Sequence, residues 1–146
     1  MDTFSGQWAT ANDATTTFGS ISALIVDDES HVRSYLRLVL AALGVTAVWE
    51  AADGAEGLAL YEQHRPAVVL LDVNMPVMSG ERMLEELTQL DPAAAVIMVT
   101  AQNEHETVKR FARLGAMGYL LKHLPKDELS RQLAEMLECL VDEDAA

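Results

Sequence analysis

The chain has 146 residues, half of them apolar, and a formal net charge of −13. That length holds one domain with a real core and leaves little room for a second. The acid excess, with no Lys/Arg cluster, argues against direct nucleic-acid binding. The one cysteine, Cys139, excludes an internal disulfide and leaves no Cys/His zinc spacing, and no apolar run approaches the ~20 residues needed to cross a bilayer.

Residues 1–20 are rich in Ser, Thr, Ala and Gly and lack apolar periodicity. This predicts a disordered arm, although Phe4, Trp8 and Phe18 offer apolar groups for a partner or for the domain itself. No basic stretch leads into an apolar one there, so a secretory signal is not expected and a cytoplasmic location is. From residue 21 the chain alternates. Residues 21–26 read as a first strand, and 30–43 as a helix with Val32, Leu36, Val39 and Leu43 on its buried face, closed by Gly44. Residues 45–49 read as the second strand, 54–64 as a helix stopped by Pro66, and 67–71 as a third strand apolar enough for burial on both faces. A loop over 72–80 carries Pro76 and Gly80. A helix follows over 81–90, a strand over 95–99, a helix over 103–114 ended by Gly115, and a strand over 117–121. The last helix spans 125–140, with Pro125 in its first turn and Leu129, Leu133, Met136, Leu137 and Leu140 facing inward. Cys139 is expected to be a half-buried structural residue of this helix. Residues 142–146 form an acidic tail. Five strands alternating with five helices predict an α/β domain over 21–141, with a parallel sheet and right-handed crossovers.

Chemistry gathers at the strand ends. Asp27 and Asp28 end the first strand, Asp72 follows the third, Thr100 the fourth and Lys122 the fifth. The carboxyl ends of parallel strands form the rim where ligands bind. Each signal alone has an ordinary reading: an Asp pair caps helices, Thr suits strands, and Lys is usually solvated. Together they place three carboxylates, a hydroxyl and an ammonium on one rim. Two carboxylates ~5 Å apart repel by roughly 3 kcal/mol at an effective dielectric of ~20, which invites a cation. Hard oxygen ligands favour Mg²⁺, and a lysine and hydroxyl beside them suit a phosphoryl group. Asp72 is then a candidate nucleophile forming an aspartyl phosphate.

Residues 21–140 resemble the receiver domain of two-component response regulators. The resemblance rests on residues 24–28 (Leu-Ile-Val-Asp-Asp), 71–80 (Leu-Asp-Val-Asn-Met-Pro-Val-Met-Ser-Gly), 99–101 (Val-Thr-Ala) and 118–122 (Gly-Tyr-Leu-Leu-Lys). It implies a flavodoxin-like doubly wound sheet of order 2-1-3-4-5. It also implies residue roles: Asp72 as phosphoacceptor; Asp28, Asp72 and the Asn74 carbonyl as direct Mg²⁺ ligands, with Asp27 acting through water; Thr100 and Lys122 on the phosphoryl group; Thr100 and Tyr119 as a switch pair. Asn74 and Gln102 would tune water's access. The implied partners are a sensor histidine kinase or histidine phosphotransfer protein and a downstream protein target. The Lys-Pro usual in the family is Lys122-His123 here, so a trans peptide is expected and the reach of Lys122 is open. His31 is expected at the surface. An output domain is not expected after residue 140, so the implied protein would signal by phosphorylation-dependent binding or serve as a phosphorelay intermediate or phosphate sink. An aspartyl-phosphate phosphatase of the haloacid-dehalogenase kind is disfavoured, since Asn74 stands where it needs a second acid.

Overall fold

The computed structural model describes residues 18–75, 77–101 and 105–145. Five strands, β1 (Ser22–Val26), β2 (Ala47–Ala51), β3 (Val68–Asp72), β4 (Val96–Thr100) and β5 (Gly118–Leu121), alternate with helices α1 (Ser30–Ala42), α2 (Gly54–His64), α3 (Gly80–Leu90), α4 (His105–Leu114) and α5 (Lys126–Ala145). All strand pairs are parallel, in the order β2-β1-β3-β4-β5. Both the architecture and the strand order are those expected.

The central strands are buried on both faces because successive side chains feed two different cores. Ala23 and Ile25, Val68 and Leu70, and Ile97 and Val99 meet Leu36, Val39 and Leu40 of α1 and Leu129, Leu133 and Leu137 of α5. The alternate residues Leu24 and Val26, Val69 and Leu71, and Val96 and Met98 meet Tyr61 of α2, Met83, Leu84 and Leu87 of α3, and Phe111 of α4. Each fully buried aliphatic side chain contributes about 1.5–3 kcal/mol. Register then fixes the rim: Val26 pairs with Leu71, and Asp72 with Val99, so Asp27 and Asp72 come out at the same end.

The structure departs from the expectations in several places. The second strand starts at Ala47, not at residue 45. Gly44 adopts φ 95°, which lets the N–H of Val45 turn back to the Leu40 carbonyl at 2.9 Å, so Val45 closes α1 and fills the core. Order extends upstream of residue 21: Phe18 is buried in the α1/α5 core, and its carbonyl accepts from Ile21 N–H. Phe4 and Trp8 lie outside the described residues. The last helix runs through the expected tail to Ala145. Cys139 is exposed rather than half-buried, because it sits on the solvent side of α5, opposite Leu133 and Leu137. Ser79 is the N-cap of α3 and accepts from Arg82 N–H.

Candidate functional site

The rim collects its residues by strand length and one tight turn. After Asp72 the chain must reverse into α3, and Gly80 N–H donates to the Val73 carbonyl at 2.9 Å. A Cβ at position 80 would stand 1.9 Å from the Asp72 carbonyl oxygen, so this close approach requires glycine. In the same turn Val77 is 87% exposed and holds φ 70°, a conformation costly for a β-branched residue.

Asp27, Asp28 and Asp72 each offer a carboxylate oxygen, all within 4.8 Å of one another. Asp27 and Asp72 are buried, and Asp28 is exposed. Lys122 reaches this cluster despite the histidine that follows it. Its Nζ lies 3.0 Å from Asp72 Oδ1, 3.2 Å from Asp27 Oδ2 and 3.7 Å from Glu29 Oε1. No described peptide bond is cis, so Lys122–His123 is trans as expected. The lysine therefore offsets part of the repulsion assigned to the bare acids. Burial draws the ammonium down, but pairing with Asp72 and Asp27 more than reverses this and leaves its pKa raised. For Asp72 burial dominates and pushes the carboxyl up to about 6; Lys122 pulls against the rise and the Asp27 charge adds to it.

Hydrogen bonding around the acids is unequal. Asp27 Oδ1 accepts from Glu29 N–H at 2.9 Å, and Asp72 Oδ1 accepts from Asn74 N–H at 3.4 Å. Asp27 Oδ2 and Asp72 Oδ2 are buried with no hydrogen-bond partner among the described residues. The Asp27 oxygen does lie 3.2 Å from Lys122 Nζ, an ion pair without hydrogen-bond geometry. The Asp72 carboxylate meets the same ammonium through its other oxygen, Oδ1, at 3.0 Å. A buried, unsatisfied carboxylate oxygen is expensive unless a ligand completes it. Three close carboxylates with two such oxygens suit a hard divalent cation with oxygen ligands, so the residues present fit Mg²⁺.

Thr100 ends β4, is buried, and its carbonyl accepts from Lys122 N–H at 2.8 Å. Tyr119 pairs in register with Met98, two residues before Thr100, and packs against the α2/α3/α4 core. By the two-residue period of a strand, Thr100 and Tyr119 share the sheet face that carries α4. Tyr119 also lines a small cavity with Val108, Phe111, Ala112 and Met117. Asn74 is exposed beside Asp72, and His31 and His123 are exposed on the rim. Gln102 lies outside the described residues.

The family model for the response regulator receiver domain matches residues 23–134 of the chain. This protein belongs to the receiver domain family. The chemotaxis protein CheY of Bacillus subtilis is 32% identical over 114 residues, covering 78% of this chain and 95% of CheY. The nitrate/nitrite regulator NarL of Escherichia coli K12 is 33% identical over 111 residues, 75% of this chain but 51% of NarL. Among solved structures, a CheY-like receiver from Methanospirillum hungatei superposes with a TM-score of 0.75 at 30% identity, covering 85% of this chain and 99% of its own. The Borrelia burgdorferi CheX–CheY–BeF₃–Mg²⁺ complex matches with a TM-score of 0.75 at 29% identity, over 79% of this chain and 87% of that one. Receiver domains are signalling modules, and the family implies a phosphoaccepting role and a kinase or phosphotransfer partner. No described helix is long and apolar enough to cross a membrane.

In this receiver the structure brings together Asp27, Asp28, Asp72 and Lys122, with Asn74 adjoining and Thr100 at the neighbouring strand end. Sequence reasoning missed Glu29, which gives Asp27 a backbone donor and Lys122 a third carboxylate. It also missed Arg33, whose guanidinium reaches the Asp27 carbonyl. Arg33 lies in the first turn of the helix that follows the acid pair, where a long side chain can turn back over the strand end, and that spacing was the signal available.

Proposed function

We propose that Asp72 accepts a phosphoryl group from a histidine kinase or histidine phosphotransfer protein, in a Mg²⁺-dependent reaction that alters the surface of α4, β5 and α5 and so regulates a protein partner. The carrying observation is Asp72 Oδ2: buried, unpartnered among the described residues, on a carboxylate whose other oxygen is already held by Lys122 and Asn74.

In this reading a carboxylate oxygen of Asp72 attacks the phosphorus of a phosphohistidine. The new P–O bond forms as the P–N bond breaks. The electron pair returns to the imidazole nitrogen, which takes a proton from solvent. With its pKa near 6, Asp72 is mostly ionised at neutral pH and competent as a nucleophile. Because the transition state is loose, positioning and charge stabilisation carry the catalysis. Bound Mg²⁺ supplies neutralisation of phosphoryl oxygens. Asp28, Asp72 and the Asn74 carbonyl would hold it directly, and Asp27 through water. Lys122, which bridges Asp27 and Asp72, would pass to a phosphoryl oxygen, and the Thr100 hydroxyl would follow. Tyr119 shares the Thr100 face of the sheet and would turn with it, biasing α4 and β5.

Amide spectra of ¹⁵N-labelled protein recorded before and after adding beryllofluoride with Mg²⁺ test this reading. Shifts should reach from Asp72 and Thr100 through Tyr119 into α4 and α5. A response confined to the loops around Asp72 would overturn the proposed relay.

A further inference from the structure

The acid pair is gripped from behind. Arg33 Nη1 donates to the Asp27 backbone carbonyl at 2.7 Å, and its Nε pairs with Glu50 Oε1 at 3.1 Å. The Arg33 side chain is 18% exposed, so these bonds are partly shielded from water. Glu50 is itself fixed, since its second oxygen takes Arg37 Nε at 2.6 Å and Arg37 Nη2 donates to the Val48 carbonyl. Hydrogen bonding to Arg37, then to Arg33, outweighs burial and holds the Glu50 carboxyl below the usual range. The Asp27 N–H is taken by the Ala51 carbonyl at 3.1 Å. Both polar backbone groups of Asp27 are therefore anchored directly or indirectly on β2, one of them through a charged pair. The Asp27–Asp28 turn cannot rotate without breaking this arrangement.

We infer that Arg33, braced by Glu50, is a positioning residue that holds the Asp27–Asp28 turn in the geometry that receives the divalent cation. This rests on the Mg²⁺ site proposed above. Groups behind a metal's ligands commonly change its affinity by ~10–100-fold when removed, because they fix where the ligands point. Arg33 makes the inference unusually testable, because positioning and simple electrostatics predict opposite signs. As a nearby cation it opposes Mg²⁺, so removing its charge alone would tighten binding. As a positioning residue, its loss loosens the turn and weakens binding.

The experiment is calorimetric titration of the folded full chain with MgCl₂, for wild type, Arg33→Gln, Glu50→Gln and Arg37→Gln, with the rise in melting temperature on adding Mg²⁺ as a second readout. Arg33→Gln should weaken Mg²⁺ about tenfold. Glu50→Gln, which keeps the guanidinium but removes its brace, should weaken it in the same direction. Arg37→Gln makes the same charge change as Arg33→Gln and loosens one side of Glu50, but leaves the bond to Asp27 and the Arg33–Glu50 pair, so it should weaken Mg²⁺ far less than Arg33→Gln. Unchanged or tighter binding in Arg33→Gln, even with a lowered melting temperature, would overturn the positioning role and leave the metal site standing. Weakening in Arg37→Gln as large as in Arg33→Gln would also overturn it, since the Arg33 bond to the Asp27 carbonyl would then carry no weight. No Mg²⁺ binding by wild type would remove the site and the inference together.

Discussion

The two edges of this sheet are built from the same strands to opposite standards. At the amino edge the polar groups are matched: Ser22 Oγ accepts from Ala67 N–H, Phe18 carbonyl from Ile21 N–H, and Val96 carbonyl from Met117 N–H, while Phe18 and Val45 fill the core. At the carboxyl edge two buried carboxylates share one ammonium, two of their oxygens lack hydrogen-bond partners among the described residues, and Val77 sits at positive φ in the turn beside them. The first edge is organised for stability. The second retains unfavourable features that a cation and a phosphoryl group would relieve.

The sharpest way to break that contrast is Asp72→Asn. It should abolish phosphoryl uptake, yet stabilise the metal-free fold. The sign follows from the carboxyl's pKa, about 6 when folded against an ordinary 3.8. The folded state binds this proton more tightly. Stability in EDTA should therefore fall as pH rises from about 4 through 6 and then level, leaving a cost of roughly 3 kcal/mol at pH 7–8 that the mutant lacks. Urea unfolding of both proteins in EDTA across this range checks it; parallel curves would place Asp72 among ordinary solvated acids.

At the opposite edge Phe18→Ala should cost about 3–4 kcal/mol in urea unfolding while leaving phosphorylation of the folded protein intact. Loss of phosphorylation without loss of stability would contradict the division of labour. Gly80→Ala forces a methyl against the Asp72 carbonyl and should cost about 3 kcal/mol, slowing phosphorylation as well because the acid-bearing strand end must shift. The smallest effect belongs to Val77→Asn, which should stabilise by about 1 kcal/mol, since asparagine tolerates the left-handed region. A neutral or destabilising result would show that the turn is not strained there.

Much of this was legible in the chain. Apolar runs of strand length ending in Asp, Thr and Lys placed the rim, and Pro and Gly marked the turns. The strand order and the residue roles came from resemblance to a family rather than from periodicity. What escaped depends on contacts distant in sequence. Phe18 looks like part of a polar arm until β1 brings it into the core shared with α1 and α5. Val45 reads as strand because it is β-branched, but Gly44 turns its N–H back onto the helix. Leu40 lay off the expected stripe of α1 and is nonetheless fully buried, because the helix packs a wider face than a 4-3-4 spacing suggests. Glu50 meets Arg33 across 17 residues, a pairing no local pattern announces. Cys139 lies two residues beyond the buried Leu137 but points away from it, since two helical steps of about 100° carry it roughly 200° round the helix.

The most direct test of the account is the intact mass of the protein, and of its peptide containing Asp72, after incubation with a small-molecule phosphodonor in Mg²⁺ or in EDTA. One phosphoryl adduct is expected on that peptide, formed with Mg²⁺, absent with EDTA and absent in Asp72→Asn. An adduct that persists in Asp72→Asn, or forms equally well in EDTA, would contradict it.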